Sequence, residues 1–99
     1  MSGLTGKQAA LSAVVSRYPQ FELTIRRLFG ADESFRDICE ELADAERALA
    51  NVDELPIALR EARRMEWQEL VDRLAEEART AILDGERVTK SRIVPPPSR

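Results

Sequence analysis

The sequence contains no histidine and a single cysteine, Cys39. Without histidine the chain lacks the commonest general base near neutral pH and the usual partner of a nucleophilic thiol. It also lacks the Glu-x-x-His pattern by which helical bundles hold metals. One cysteine makes no internal disulfide, which fits a reducing compartment and gives a cytoplasmic expectation. Four glycines are scattered, and none forms a phosphate-cradling loop. No apolar run approaches the roughly 18 residues of a membrane span. Residues 1–15 hold one lysine and a mild apolar run broken by Ser12, a weak match to a secretory signal. These absences leave no catalytic residue, cofactor or metal ligand to nominate, and the expectation is a non-enzyme.

What the chain does have is helix-forming residues. Ala, Leu, Glu and Arg dominate, and thirteen of the fifteen basic residues are Arg. Ninety-nine residues suffice for one modest core without disulfides or metal. The net charge of −3 is unevenly placed. Arg87, Lys90, Arg92 and Arg99 against Glu86 give the last fourteen residues +3, leaving −6 for the first 85. An acidic body with a short basic tail is not a nucleic-acid footprint, which needs a basic face on the fold itself.

The organising stretch runs from residue 32 to 52. Phe35, Ile38, Leu42, Ala45, Leu49 and Val52 recur in steps of three and four, with Cys39 beside them. Charged residues lie outside that stripe, so the segment is an amphipathic helix, capped by Asp32 or Ser34. Upstream, Thr5 is positioned to cap a helix over 7–17 with Leu4, Leu11, Val14, Val15 and Tyr18 on one side. Pro19 to Phe29 reads as a second short helix that Gly30 stops. Downstream, Asn51, Asp53 and Pro56 break the chain, and Leu55, preceding proline, is expected to be extended. A long helical pattern then runs from Pro56 to about Leu83, closed by Gly85. At 1.5 Å per residue it would span about 42 Å, against about 29 Å for residues 33–51.

The long helix changes register. Trp67, Leu70, Val71, Leu74, Ala78, Ala81 and Ile82 share one face, but projecting that face backward reaches Arg60 and Arg63. The first half instead places Ile57, Ala58, Leu59, Ala62 and Met65 on other sides. Ile57, Leu59, Ala62 and Met65 are therefore candidate interface residues. The cluster of Arg60, Arg63 and Arg64 is a candidate contact for an anion or an acidic partner, blunted by Glu61 and Glu66. The many carboxylates have Arg three or four residues away, as in Asp44–Arg47 and Glu76–Arg79, and read as a solvated face.

The pattern Asp32-Glu-Ser-Phe35-x-x-Ile38, an acidic helix, a polar break and Glu69-Leu-Val-Asp-Arg-Leu74 resembles the YdcH-like family of small bacterial helical-hairpin proteins. The resemblance covers residues 28–82. It implies a hairpin and a bacterial origin, and carries over no activity and no functional residue. The chain departs from the pattern in its longer N-terminal region, in Pro56 and in the approach from Ile57 to Glu66.

The expected fold is all-α: an antiparallel hairpin of residues 32–51 and 56–83 with one or two short N-terminal helices packed across it. Residues 1–85 would form one domain with a mobile start at 1–6, and 86–99 a disordered basic, proline-rich tail ending in Pro95, Pro96 and Pro97. The leading functional expectation is a protein–protein interaction or self-assembly module, a homo-oligomer or the receptor of another protein. A second expectation is a small regulatory protein whose basic tail binds nucleic acid or an acidic partner. A third is a small helical enzyme with an Arg-lined pocket.

Overall fold

A computed structural model describes residues 6–93, with side chains through Val88. Among the described residues the fold is all-α. Helices α1 (Gly6–Arg17), α2 (Glu22–Ala31), α3 (Glu33–Ala50) and α4 (Ile57–Ile93) follow in order, with single 3-10 turns at Pro19–Phe21 and Val52–Glu54. Thr5, Leu4 and residues 94–99, with the three prolines, lie outside the described residues.

One continuous core joins the four helices. The stripe on α3 supplies Phe35, Cys39, Leu42 and Ala45, all buried, with Ile38 and Leu49 half-buried at its margins. From α4 come Val71, Leu74, Ala75, Ala78 and Ile82. Ile25 and Phe29 of α2 and Ala10 and Val14 of α1 close the remaining sides. Polar links tie the short helices down. The Tyr18 hydroxyl donates to the Ala75 carbonyl of α4 at 3.2 Å. Arg17 pairs with Glu46 of α3, and that hydrogen bond holds the guanidinium charge even more firmly than usual.

The corner between α2 and α3 turns on one residue. The Asp32 backbone N–H closes α2 on the Leu28 carbonyl at 2.8 Å, while its carboxylate accepts from the Phe35 N–H at 3.2 Å and caps α3. Arg36 reaches back to the Phe29 carbonyl at 2.7 Å and satisfies another orphan of α2's C-terminus. Leu55 is extended at φ −78°, ψ 159°, as the following proline requires.

Two glycines depart from expectation. Gly30 does not stop α2: it lies inside the helix, without positive φ, and Ala31 extends it. Gly85 does not close α4, which runs on to Ile93. Residues 86–93 are therefore helical, where the sequence suggested the start of a disordered tail. Gly85 is buried where α2 crosses α4, and a Cβ there would lie 3.1 Å from both Leu28 Cδ1 and Thr24 Cγ2. The glycine is a contact surface for α2. The same crossing carries a hydrogen bond from the buried Thr24 hydroxyl to the Glu86 carboxylate, and Arg27 donates to the Gly85 carbonyl at 3.4 Å.

This arrangement sets opposite outcomes for the two positions. Gly85→Leu is expected to cost about 2–3 kcal/mol by overpacking the crossing. Gly30→Ala, with nothing within 4 Å of the new Cβ, is expected to gain about 0.5–1 kcal/mol from helix propensity. Urea unfolding monitored by circular dichroism measures both. A stabilised Gly85→Leu protein would show that α2 does not sit on this glycine.

Candidate interaction surface

The thirty-seven residues of α4 span about 55 Å, roughly twice α3's eighteen. The molecule is correspondingly elongated: its radius of gyration is 16.9 Å, against about 13 Å for a compact chain of this length. The C-terminal part of α4 is covered by α2 at Gly85. The N-terminal three turns are not covered. Every residue from 57 to 66 is exposed except the half-buried Arg60.

Those three turns are inside out. In line with the buried face of Val71, Ala78 and Ile82, where apolar residues belong, stand Arg60 and Arg64. Each is held by the connector that precedes the helix. Arg60 Nε donates to the Leu55 carbonyl at 2.8 Å, and Arg64 pairs with Asp53 at 3.1 Å. Arg63 pairs along the helix with Glu66 at 2.8 Å. Val52, buried in the same connector, anchors it. The opposite side of the helix carries Ala58, Ala62 and Met65 into solvent, with Leu59 exposed on one margin and Ile57 on the other, beside Arg64. Ile57 is 78% exposed, Met65 59% and Leu59 42%, with Ala58 and Ala62 exposed between them. The helix is continuous through Met65.

The structure thus separates the two groups of residues nominated from the sequence. Of the first group, Ala62 and Met65 share one exposed side of α4 with Ala58, while Leu59 and Ile57 are exposed on the two opposite margins of that side. Arg60, Arg63 and Arg64 do not converge on a pocket. Each is engaged within its own chain, and Arg63 and Arg64 point to solvent.

Concave features elsewhere carry little chemistry. The groove between α2 and α4, about 330 Å³, is lined by Arg27, Asp32 and Asp84 beside Leu28, Gly85 and Val88. Its polar groups are already in use: Asp32 caps α3, Asp84 pairs with Arg87 at 2.7 Å, and Arg27 reaches the Gly85 carbonyl. Among the described residues no three Cys, Asp or Glu side chains converge in a way that would hold a metal. No helix among them is long and apolar enough to cross a membrane.

Cys39 has no exposed surface, and burial, with a smaller push from the Glu40 carboxylate, raises its pKa from 9.0 to about 12. The thiol is a core residue. Ellman's reagent at pH 8 is expected to react only after denaturation, since the thiolate is both rare and enclosed. The same shift has a sign. Below pH 9 both folded and unfolded chains keep the proton and stability is unaffected. Between pH 9 and about 12 only the unfolded chain ionises, so stability falls by about 1.4 kcal/mol per pH unit. Cys39→Ala is expected to flatten that slope in urea titrations at pH 8 and pH 10. Rapid native labelling, or an unchanged slope in the variant, would contradict the buried placement.

No family model, curated protein or solved structure matches this chain.

Proposed function

We propose that this chain is a cytoplasmic, non-enzymatic assembly module that self-associates through the first three turns of α4. In this reading α3 and α4 form an antiparallel hairpin, α1 and α2 lie across it as one domain, and the hairpin's projecting end is the working surface. The resemblance to YdcH-like hairpin proteins agrees with such a scaffold and rests on the residue pattern alone. The observation that carries the reading is the inverted amphipathicity of residues 57–66. Arg60 and Arg64 stand in line with the buried face and are held by the connector, while Ala58, Ala62 and Met65 are displayed on the opposite side.

Displaying apolar residues in water is unfavourable by about 25 cal/mol per Å². At their observed exposures Met65, Ala58 and Ala62 offer on the order of 200 Å² along one side, with Leu59 and Ile57 adding apolar surface at its two margins. A face of this size belongs to the small, transient class of interface, so association is expected to be weak, at about 10⁻⁵ M.

Hydrogen exchange at two protein concentrations tests the reading. Amides of residues 61–66 are expected to exchange more slowly at 500 µM than at 5 µM (chosen to bracket about 10⁻⁵ M), while those of α3 stay unchanged. Concentration-independent exchange throughout α4 would overturn the proposal.

A further inference from the structure

Resting on the reading of residues 57–66 as a self-association face, we infer that the occupant is a second copy of this chain laid antiparallel, centred between Ala62 and Met65, with Glu69 over the partner's α4 N-terminus. Three features of the surface support this occupant and this direction.

The first is size. Ala58, Ala62 and Met65 follow one seam in steps of four and three, the spacing of a short coiled-coil contact. Antiparallel overlap sets the large Met65 of one protomer against the small Ala62 of the other, so a bulge meets a depression twice about the two-fold axis. The second is the absence of a cationic cluster on the seam. Arg60, Arg63 and Arg64 each hold a partner within their own chain and lie off the Ala58–Ala62–Met65 seam, so the seam itself presents no cationic cluster to an acidic protein or a phosphate backbone. What the seam displays is apolar at Ala58, Ala62 and Met65 and acidic at its margins, at Glu61 and Glu66.

The third is direction. Beyond Met65 the seam turns acidic at Glu69, Asp72 and Glu76, all exposed. Parallel pairing would stack these carboxylates on their own copies and bring two positive helix N-termini together. Antiparallel pairing separates them and places Glu69 beside the partner's residues 57–59. That helix start carries no acidic residue in its first turn, whereas α2 and α3 have Glu22 and Glu33 there. A carboxylate is stabilised at that end of the dipole.

Disulfide trapping tests both the occupant and the direction. Ala58→Cys and Glu69→Cys are made singly in the full chain; buried Cys39 contributes no accessible thiol. Under mild oxidation each variant alone is expected to remain largely uncrosslinked, and an equimolar mixture is expected to give a covalent heterodimer at least ten-fold more abundant than either homodimer. Self-crosslinking of Ala58→Cys alone would establish a parallel pair and overturn the inference. Sedimentation of the unmodified protein separates the two levels of failure. A dimer without the mixed disulfide overturns this arrangement alone, and a monomer overturns the self-association reading beneath it.

Discussion

Phe35→Ala is expected to remove about 3–5 kcal/mol of folding stability. The ring is 1% exposed, at the first turn of α3, in the core that the four helices share. Its loss combines the transfer term of an aromatic side chain with a cavity that the surrounding helices fill only partly, because Asp32 fixes the start of α3 through the Phe35 N–H itself. A chain of this size has about 5–15 kcal/mol in total. At about 4–8 °C per kcal/mol, the thermal midpoint should fall by roughly 15–30 °C. Thermal unfolding followed by circular dichroism at 222 nm measures it. A loss below about 1 kcal/mol would show that the core does not close around this residue.

The double substitution Leu59→Glu with Met65→Glu is expected to have the opposite profile. Folding stability should change by no more than about 0.5 kcal/mol, because both side chains lie on helix surface and glutamate is a good helix former. Self-association should weaken by at least about 100-fold. Met65 on the seam contributes up to about 1.5–3 kcal/mol when buried, Leu59 at its margin contributes less, and the replacements would add carboxylates beside Glu61 and Glu66 across the pairing. Sedimentation velocity over a concentration series reads the second effect and urea unfolding the first. A large loss of stability would place Leu59 and Met65 in the core. Unchanged sedimentation would remove them from any interface.

These two predictions fall on parts of the chain that differ in how legible they were. The stripe through Phe35, Leu42 and Ala45 was plain because a helix against a single core imposes a 3.6-residue period over five turns. The clean face from Trp67 to Ile82 was plain for the same reason. The register change at Met65 was equally visible, since charged residues stood where that face projected backward. What held Arg60 and Arg64 was not visible. Their partners, the Leu55 carbonyl and Asp53, depend on the path of the connector in space.

Gly85 shows where local reading fails. A glycine after a periodic run is the usual sign of a helix end, and the residues beyond it, with Val88 and Ile93 out of phase, offered no continuing pattern. The glycine instead answers to α2, sixty residues earlier, through Leu28 and Thr24. Nothing within its own turn of helix distinguishes the two roles. Thr24 did leave a signal, because it lies one turn before Leu28 and beside Ile25 on the buried side of α2. Its hydroxyl is satisfied by Glu86, which α4 delivers only because the helix continues past residue 85. Ala10, fully buried, was missed because a small residue on a short helix adds little to any periodic pattern.

The central claim is that the displayed side of residues 57–66 is covered by another copy of the chain. Light scattering after size exclusion, with the protein loaded at several hundred micromolar so that about 10⁻⁵ M elutes, tests it most directly. The expected mass is about twice the 11.2 kDa of one chain, falling toward that value on dilution. A mass of 11.2 kDa at every loading would contradict it.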